Sequence, residues 1–374
     1  MRAEVTFAIA LAACSRAAQS NQTDSGNPKN SQAVLTTCQP GPWTITTVDS
    51  AGSVGGEPSL AIDRTGAAHV AYYDYGSRDL KYAQRAADGS WSMETVDSEG
   101  FVGWRPSLAI DGSAELYVTY WDVTKELLKC AHRAPGTNWS IDAIGPVRPP
   151  RATSFVRIDP TGGVHVVYGI LEHAYRARGG SWNKEVIEAE LDVYGRPSLA
   201  VSPTGSLHVS YDVTDTNDLK HAYRSPQGKW TTEVVESAGG VGGFSSLAID
   251  SADGLHISYI DWDHEDLKYG YRAANGGWVI TTVDSEDAVG WYSSLAVDPS
   301  GGVHVSYYDD TDGDLKYAYR AANGNWTLST VDSDGKVGGY SSLALDAHGG
   351  VHVAYFDFSN EDLKYAYRPC VAAP

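Results

Sequence analysis

Short runs of alternating apolar and polar residues, each bounded by a turn, fill most of the chain. The fullest example begins at Ser294 and reads SLAVD, PSG, GVHVSYYD, DTDGD, LKYAYR, AANG and NWTLSTVD, ending at Asp332. Runs rich in Val, Tyr and Leu, separated by Gly, Asn and Asp, are typical of antiparallel strands joined by tight turns. Each such unit therefore predicts four strands, which we name A, B, C and D in chain order.

One tryptophan marks the start of strand D in every copy of this unit. The seven equivalent residues are Trp43, Trp91, Trp139, Trp182, Trp230, Trp278 and Trp326. Their spacing is 48 residues, except for 43 between Trp139 and Trp182. A period of this length in an all-β chain is typical of a propeller with one four-stranded blade per repeat. The sequence therefore predicts an all-β, seven-bladed β-propeller.

The repeats do not begin and end at blade boundaries. The first recognisable strand, residues 43–49, is of the D type, and the last, residues 363–368, is of the C type. The first strand must therefore complete the last blade, formed by residues 341–368, which closes the ring and leaves no unpaired blade edge.

The cysteines agree with this closure. Cys38 and Cys370 lie near the ends of the two strands that must pair, so we predict a disulfide between them, as expected in an oxidising, exported setting. Cys130 occupies a position that is Tyr in most other C strands, and we predict a buried free thiol there.

The N-terminal segment has the features of an export signal. An apolar run ends in Leu11-Ala12-Ala13-Cys14, which resembles the bacterial lipoprotein box, in which the cysteine is acylated. An ordinary cleaved signal peptide is the alternative. The predicted organisation is a signal peptide over residues 1–14, a flexible polar tether over 15–41, the propeller over 42–370 and a tail over 371–374. The expected location is outside the cytoplasm, either anchored at a bacterial cell envelope or secreted.

The amino-acid composition limits the classes of partner that are expected for the protein. With 47 acidic and 28 basic residues the formal charge is −19, which repels phosphate backbones, so nucleic acid is not an expected partner. No stretch is apolar for long enough to span a bilayer, so membrane attachment is expected only through a lipid anchor. We expect a monomer that binds a glycan or a cell-surface protein.

Residues present in nearly every blade are expected to serve the blade. Six His at the start of strand B are interpreted as hydrogen-bonded structural residues, because equivalents on separate blades cannot converge on one metal ion. We predict no metal site. The loop carrying Asp310, Asp312 and Asp314 has the carboxylate density of a calcium site, but it lacks the distal Glu of an EF-hand, so a solvated turn is favoured.

Residues that depart from the repeat are the candidates for function. The D-to-A loops share the upper face with the B-to-C loops and carry large residues after a Val-Gly pair, where small polar residues would be tolerated. Trp and Tyr at such a mouth can stack on sugar rings, and Arg or Glu can orient a ligand. The predicted ligand-binding residues are Glu57, Trp104, Arg105, Arg148, Arg151, Arg196, Trp291, Tyr292 and Tyr340.

The third blade is the irregular one. Its B-to-C loop is five residues short, and the preceding loop, residues 146–151, is rich in Pro and carries Arg148 and Arg151. With Arg105 and Arg196, up to four guanidinium groups lie on three consecutive blades. They suit a carboxylate-bearing sugar at the mouth between blades two, three and four. The alternative is a set of solvated arginines.

The repeat resembles those of secreted bacterial β-propeller proteins and, more distantly, lectin-like and sialidase-like propellers. The resemblance covers about residues 42–370 and implies the fold rather than the activity. No Asp-box of the form S-x-D-x-G-x-x-W occurs. The three-arginine clamp of sialidases has only an analogy of position here, in Arg105, Arg151 and Arg196.

Three functions remain open from the sequence. The favoured hypothesis is a non-catalytic module that binds a carbohydrate at the upper face, because no isolated acid/base or nucleophile constellation stands out. The second is a glycoside hydrolase or polysaccharide lyase that uses Glu57 or Asp263 with Tyr292 or Tyr340 nearby. The third is a scaffold that binds proteins at its outer edge.

Overall fold

The computed structural model describes residues 38–147, 153–189, 196–321 and 324–372. All regular structure in these ranges is β-strand. Seven four-stranded antiparallel sheets follow one another along the chain as the blades of a ring, and a separate two-stranded ribbon joins its two ends. The predicted seven-bladed β-propeller is confirmed.

The strands of the first four blades follow the A, B, C, D order of the repeat. Blade one contains β3 (Gly56–Ile62), β4 (Ala68–Asp74), β5 (Asp79–Arg85) and β6 (Trp91–Asp97). Blade two contains β7 (Trp104–Ile110), β8 (Leu116–Asp122), β9 (Leu127–Arg133) and β10 (Ser140–Pro146). Blade three contains β11 (Ser154–Ile158), β12 (Val164–Tyr168), β13 (Glu172–Arg176) and β14 (Asn183–Val186). Blade four contains β15 (Ser198–Val201), β16 (Leu207–Val213), β17 (Asp218–Arg224) and β18 (Thr231–Glu236).

The last three blades continue the order, and the closing strands come from the N-terminal end. Blade five contains β19 (Val241–Ile249), β20 (Leu255–Asp261), β21 (Asp266–Arg272) and β22 (Val279–Asp284). Blade six contains β23 (Trp291–Val297), β24 (Val303–Asp309), β25 (Asp314–Arg320) and β26 (Trp326–Asp332). Blade seven contains β27 (Val337–Leu345), β28 (Val351–Asp357), β29 (Asp362–Arg368) and β2 (Thr44–Asp49), and the ribbon pairs β1 (Cys38–Pro40) with β30 (Cys370–Ala372).

The ring closes as the sequence predicts. Strand β2 pairs antiparallel with β29, with Thr44 opposite Tyr367. The β1–β30 ribbon then places Pro40 opposite Cys370 and Cys38 opposite Ala372. The backbones of the two cysteines are therefore neighbours in one small sheet, and their disulfide stays a prediction. Cys130 is a free thiol with no exposed surface, as predicted.

The B strands form the centre of each blade. In β24, for example, every residue from Val303 to Asp309 is buried, because the strand has a neighbour on either side and an adjacent blade over each face. The apolar side chains gather in seven clusters that lie between neighbouring blades, one at each junction; the cluster of Leu80, Tyr82, Leu108 and Tyr120 joins blades one and two. The hydrophobic core is therefore a ring of interfaces.

Serine hydroxyls link the inner A strands around the axis. The Ser59 hydroxyl of blade one accepts a hydrogen bond of 2.9 Å from the backbone N–H of Leu108 in blade two, and Ser342 of blade seven closes the circle on Leu60 at 3.0 Å. The same link begins at Ser107, Ser198, Ser246 and Ser294. Phe155 replaces the serine in blade three, so the equivalent link to blade four is missing.

A second polar link holds the blades together farther from the axis. A carboxylate at the end of one D strand accepts hydrogen bonds from a Tyr and a Lys of the next blade, as Asp332 does from Tyr355 at 2.7 Å and Lys364 at 2.6 Å. The same arrangement surrounds Asp49, Asp97, Glu188, Glu236 and Asp284. At the junction of blades two and three, Gly145 and Glu172 stand in place of the carboxylate and the lysine.

A third contact joins a B-strand residue to an A-strand residue of the next blade, and the two residues change together from one junction to another. Four B strands present a hydroxyl that bonds a serine of the next A strand, in the pairs Thr119–Ser154, Ser210–Ser245, Ser258–Ser293 and Ser306–Ser341. At the other three junctions, the B strand carries an apolar residue and the next A strand carries proline, in the pairs Ala354–Pro58, Ala71–Pro106 and Val167–Pro197. Polar meets polar, and apolar meets apolar, at every junction.

The recurrent histidines are hydrogen-bonded as predicted. His304, for example, contacts Tyr317 Oη through Nδ1 at 2.6 Å and Asp298 Oδ2 through Nε2 at 3.2 Å. In blades three and four, His173 and His221 replace the tyrosine partner. Both ring nitrogens of His304 are thus used within its own blade.

The buried carboxylate links predict a large cost for removing their lysine. Lys364→Met should leave the buried carboxylate of Asp332 without its cation and reduce the free energy of unfolding by about 3–5 kcal/mol. Lys125→Met is the matched control, because Lys125 and its partner Glu99 are 42% and 79% exposed and such pairs contribute about 1 kcal/mol or less. Urea unfolding measures the free energy of unfolding of each variant. If Lys364→Met and Lys125→Met lost the same amount, this account of the junctions would be contradicted.

The same links predict a dependence on pH. Burial opposes the charged form of Asp332, but hydrogen bonds from Lys364 and Tyr355 outweigh it and lower the pKa of the carboxyl group. Its contribution is therefore complete above the unfolded-state pKa of about 3.9 and is lost as the pH falls through the lower folded-state value. Unfolding measured from pH 6 downward should show Lys364→Met losing less stability on acidification than the parent chain.

The β1–β30 pairing and the burial of Cys130 predict which cysteines form a disulfide and which stays a free thiol. Peptide mapping of the unreduced protein by mass spectrometry should recover Cys38 linked to Cys370, because β1 and β30 hold the two backbones side by side. Cys130 should react with iodoacetamide only after unfolding, since it is fully buried and burial raises the pKa of its thiol to about 12. A disulfide that contains Cys130 would overturn the assignment.

Candidate ligand-binding site at the mouth of the propeller

The inner A strands of the seven blades surround a cavity of about 390 Å³, which we call the axial cavity. It extends from the D-to-A loops at the upper face toward Ile110 and Ile158 near the other ends of their strands. Residues of the upper end include Arg105, Thr153, Arg196, Phe244, Tyr292 and Tyr340. This volume lies in the range of small-ligand sites.

The residues at the upper end occupy a strained backbone conformation. Glu57, Arg105, Phe244, Tyr292 and Tyr340 hold equivalent positions in five blades, and their φ angles lie between 49° and 53°. Such left-handed values cost about 1–2 kcal/mol for a residue with a β-carbon, and strain of this kind concentrates at functional sites. Four of these five residues, all except Glu57, line the cavity.

The preceding Val-Gly pair makes this geometry feasible. Gly55 has a φ of 85°, and a β-carbon there would lie 2.5 Å from the backbone of Leu363 in the neighbouring blade. Only glycine permits so close an approach.

Glu57 is the centre of the charged half of the mouth. Its carboxylate is 5% exposed and forms an ion pair with Arg196, which reaches it from blade four. Trp104 donates its indole N–H to the same carboxylate at 2.9 Å, and the Arg105 Nε lies 3.7 Å from it. The structure thus brings four predicted site residues from three blades into one cluster.

Aromatic rings form the other half of the mouth. Phe244 and Tyr292 have ring centroids 4.5 Å apart, and Tyr292 and Tyr340 are 4.3 Å apart. The Arg196 guanidinium lies 5.4 Å from the Tyr340 ring centroid and connects the two halves. Burial, together with Tyr340, raises the pKa of Tyr292, so this phenol is a neutral hydrogen-bond donor at physiological pH.

Trp104 and Trp291 have packing roles that the sequence did not reveal. Trp104 stacks on Trp121 at 5.3 Å, and Trp291 meets the edge of Trp262 at 5.0 Å. In blades one, five and seven the position of these tryptophans is glycine, and a B-to-C loop ring takes the space: a β-carbon at Gly339 would lie 2.3 Å from Phe358. Packing therefore accounts for both residues, and a role in ligand binding stays a prediction.

The replacement of a D-to-A loop tryptophan by a B-to-C loop ring also identifies aromatic residues that were not predicted from the sequence. Tyr75 and Trp262 lie over Gly56 and Gly243 in the same way, and each is 37% exposed at the upper face. The signal was present in the repeat: where the D-to-A loop has glycine in these blades, the B-to-C loop nineteen residues later has an aromatic residue. These two rings extend the aromatic surface outward from the mouth.

The third blade has the shortened hairpin that was predicted. Strands β12 and β13 are joined by residues 169–171, and Leu171 is buried with a φ of 65°. Arg148 and Arg151 lie outside the described residues. Of the four predicted guanidinium groups, the structure therefore describes Arg105 and Arg196, which converge on Glu57 rather than on blade three.

Every charged residue that lines the axial cavity, within the described ranges, is an arginine. They are Arg105, Arg157 and Arg196. Arg157 was missed because the sequence analysis compared loops and not inner strands. Burial lowers the pKa of the Arg196 guanidinium, although an arginine remains charged at any physiological pH.

The other candidates lie elsewhere. Asp310 and Asp312 are exposed in the β24–β25 turn, and across the part of the chain that the structure describes no group of three or more His, Cys, Asp or Glu residues is arranged to hold a metal ion. Asp263 lies in the B-to-C loop of blade five and accepts a hydrogen bond from Gly240 N–H at 3.0 Å. Within the described ranges, no helix is long and apolar enough to cross a bilayer.

Comparison with solved structures finds proteins of similar fold at low sequence identity. A protein of unknown function from Dyadobacter fermentans has a TM-score of 0.58 and 12% identity, over 89% of this chain and 99% of its own. The SapL1 lectin in complex with α-methyl fucoside has a TM-score of 0.53 and 14% identity, over 75% of this chain and 98% of its own. The polysaccharide lyase Uly1 has a TM-score of 0.54 and 10% identity, over 86% of this chain and 91% of its own.

These similarities show the fold. No family model and no curated protein sequence matches the chain.

The left-handed positions predict an unusual order of variant stabilities. Arg105→Gly should be more stable than Arg105→Ala by about 1 kcal/mol, because only alanine has a β-carbon to strain at a φ of 53°. Both variants lose the same contacts to Glu57 and Trp104, so urea unfolding isolates the backbone effect. If Arg105→Ala were more stable than Arg105→Gly, the backbone at this position would not be strained.

Proposed function

We propose that this protein is a non-catalytic, extracellular carbohydrate-binding propeller that takes an acidic glycan at the mouth of the axial cavity. The observation that carries the proposal is the charge of that cavity: its described charged lining is entirely arginine, in a chain whose formal charge is −19. Arginines gathered in an acidic protein indicate an anionic ligand, because guanidinium groups bind carboxylates with paired hydrogen bonds.

The mouth combines this charge with surfaces that suit a sugar ring. Phe244, Tyr292 and Tyr340 offer half-buried rings beside Arg196, and Tyr75 and Trp262 add exposed rings outside them. Aromatic faces bind the apolar faces of sugars, while a few polar groups fix their orientation. The lectin and lyase among the similar structures support a glycan as the ligand class.

Glu57 has a defined role in this proposal. Its carboxylate holds Arg196 and Arg105 in place at the mouth of the axial cavity. A ligand carboxylate would share or replace this acceptor, so Glu57 both positions the guanidinium groups and competes with the ligand for them.

An enzyme remains the second candidate. A glycosidase needs two carboxyl groups on either side of the scissile bond. Glu57 is buried among its partners, and Asp263 lies in a B-to-C loop and does not line the axial cavity. A lyase could use Tyr292 as a general acid/base group, so the binding experiment below includes an assay for product release.

The third candidate, a scaffold for protein partners, draws support from the outer D strands. Val279 is 61% exposed and Leu328 is 43% exposed on that edge. We also propose that the chain is exported and attached through Cys14, on the strength of its lipoprotein-like box; Cys14 and the tether lie outside the described residues.

Glycan-binding measurements test the proposal, because arginine variants and a Glu57 variant should change the affinity in opposite directions. On a glycan array and then by calorimetry, Arg196→Ala and Arg105→Ala should weaken an acidic glycan by roughly ten- to a hundredfold, since each removes a charged hydrogen-bond donor. Glu57→Gln should instead strengthen binding, because it removes the competing carboxylate. Reducing ends or unsaturated products released from the same glycans would favour the enzyme.

Arg272→Ala is the matched control. Arg272 lies at the end of a C strand, far along its blade from the mouth, where it pairs with Glu233 and lies 4.9 Å from the Trp278 ring centroid. Its loss should lower stability and leave affinity unchanged. Two results would contradict the proposal: acidic glycans fail to bind the parent chain, or they bind the Arg196 and Arg105 variants as tightly as the parent. Either result would show that the cluster is only a structural ion pair.

A further inference from the structure

One position of the inner strands separates blade three from all the others. Six blades carry alanine there, and blade three carries Arg157; the alanines are Ala61, Ala109, Ala200, Ala248, Ala296 and Ala344. The position lies on strand A, four residues beyond the mouth position of each blade. Ala61, Ala109 and Ala344 line the axial cavity together with Arg157, which is the one guanidinium group at this position of the repeat.

Arg157 lines the axial cavity together with Phe155, two residues earlier on the same face of β11. The guanidinium lies 5.9 Å from the Phe155 ring centroid. Phe155 itself replaces the serine that links the other inner strands. Blade three therefore gives up an inter-blade hydrogen bond at the point where a ring supports the arginine.

The charge of Arg157 is not compensated by the described residues. Its one hydrogen bond there runs from Nη1 to the neighbouring Val156 carbonyl at 2.8 Å, and no ion pair joins it to a carboxylate of the described ranges. Burial lowers the pKa of its guanidinium, and no carboxylate of the described residues opposes that effect. A guanidinium group has five N–H donors, so most of those of Arg157 have no acceptor among the described residues.

A partly buried cation without a carboxylate partner among the described residues is costly, and six sister blades avoid it with alanine. Stability alone therefore gives no reason for an arginine at this position. Residues that cost stability are commonly retained for binding.

We propose that Arg157 forms an anion-binding subsite inside the axial cavity and that its ligand is a carboxylate. The subsite is separate from the mouth, where Glu57 already pairs with Arg196. The carboxylate could belong to a small free acid or to the acidic sugar of a glycan whose remainder lies at the mouth. The inference does not depend on the ligand being a glycan.

Calorimetry on the full chain separates these sources. D-glucuronate is the small acid and D-glucose its neutral counterpart; an oligogalacturonide is the glycan and its methyl ester the neutral counterpart. The parent chain should bind at least one acid more tightly than its neutral counterpart, and Arg157→Ala should weaken that acid at least tenfold. Binding of D-glucuronate identifies the small acid as sufficient, and binding of the oligogalacturonide alone identifies the glycan.

Unfolding without ligand provides a second readout. Arg157→Ala restores the residue of the other six blades and should raise the melting temperature, since it removes an uncompensated buried charge. Arg178→Ala, at a side chain that is 60% exposed, is the control and should change neither binding nor melting temperature. Arg196→Ala tests the mouth independently: if only the Arg157 variant loses D-glucuronate, the subsite stands even where the proposed glycan function fails.

Two results would overturn the proposal. One is that neither acid binds the parent more tightly than its neutral counterpart. The other is that Arg157→Ala binds the acids with parental affinity, and a lower melting temperature in that case would identify Arg157 as a structural residue.

Discussion

The ring depends on a buried carboxylate that reaches from one blade to the next. Each blade is hydrogen-bonded only within its own sheet, so the seven sheets stay together through contacts that cross between them. Asp332 and its equivalents make this crossing near the outer strands, and the serine hydroxyls make it around the axis. Blade three lacks the carboxylate link on the side of blade two and the serine link on the side of blade four. It therefore lacks one of these links on each side, and it is also the blade that carries Arg157.

Repetition explains why the architecture could be predicted from the sequence. Seven copies act as an internal alignment, so the strands, the turns and the closing role of β2 follow from the pattern. The histidines were interpreted correctly for the same reason: a residue that recurs in six blades serves each blade.

The site could be predicted only in part. Repetition places Glu57, Arg105 and Arg196 at equivalent points of three blades, but it does not tell how far a side chain reaches across the axis. The pairing of Arg196 with Glu57 therefore needed coordinates. The packing of Trp104 and Trp291, and the importance of Arg157, could have been found by comparing each column of the repeat instead of the loops alone.

Charge is distributed in two ways in this molecule. Many acidic residues, such as Asp49 and Asp332, are buried and paired with lysine, so the net charge of −19 is carried by acidic residues other than these buried pairs. What remains acts on a ligand only within about 8 Å at physiological ionic strength. Among the described residues that line the axial cavity, the charged ones are three arginines, and Glu57 pairs with the two at the mouth. A chain that is acidic as a whole can therefore present a cationic site to a ligand at contact distance.

The matched junctions between blades limit how such a ring can change over time. The ring that fills the space beside Gly339 comes from Phe358 of the same blade, so a duplicated blade brings both partners with it. The hydroxyl of Ser306 instead meets Ser341 of the following blade, whereas Ala71 meets Pro106. A duplicated or exchanged blade that set Ser306 against a proline would bury a hydroxyl without a partner. The order of the blades is therefore constrained by their boundaries, and blade exchange between relatives should be tolerated only where both boundaries are of the same kind.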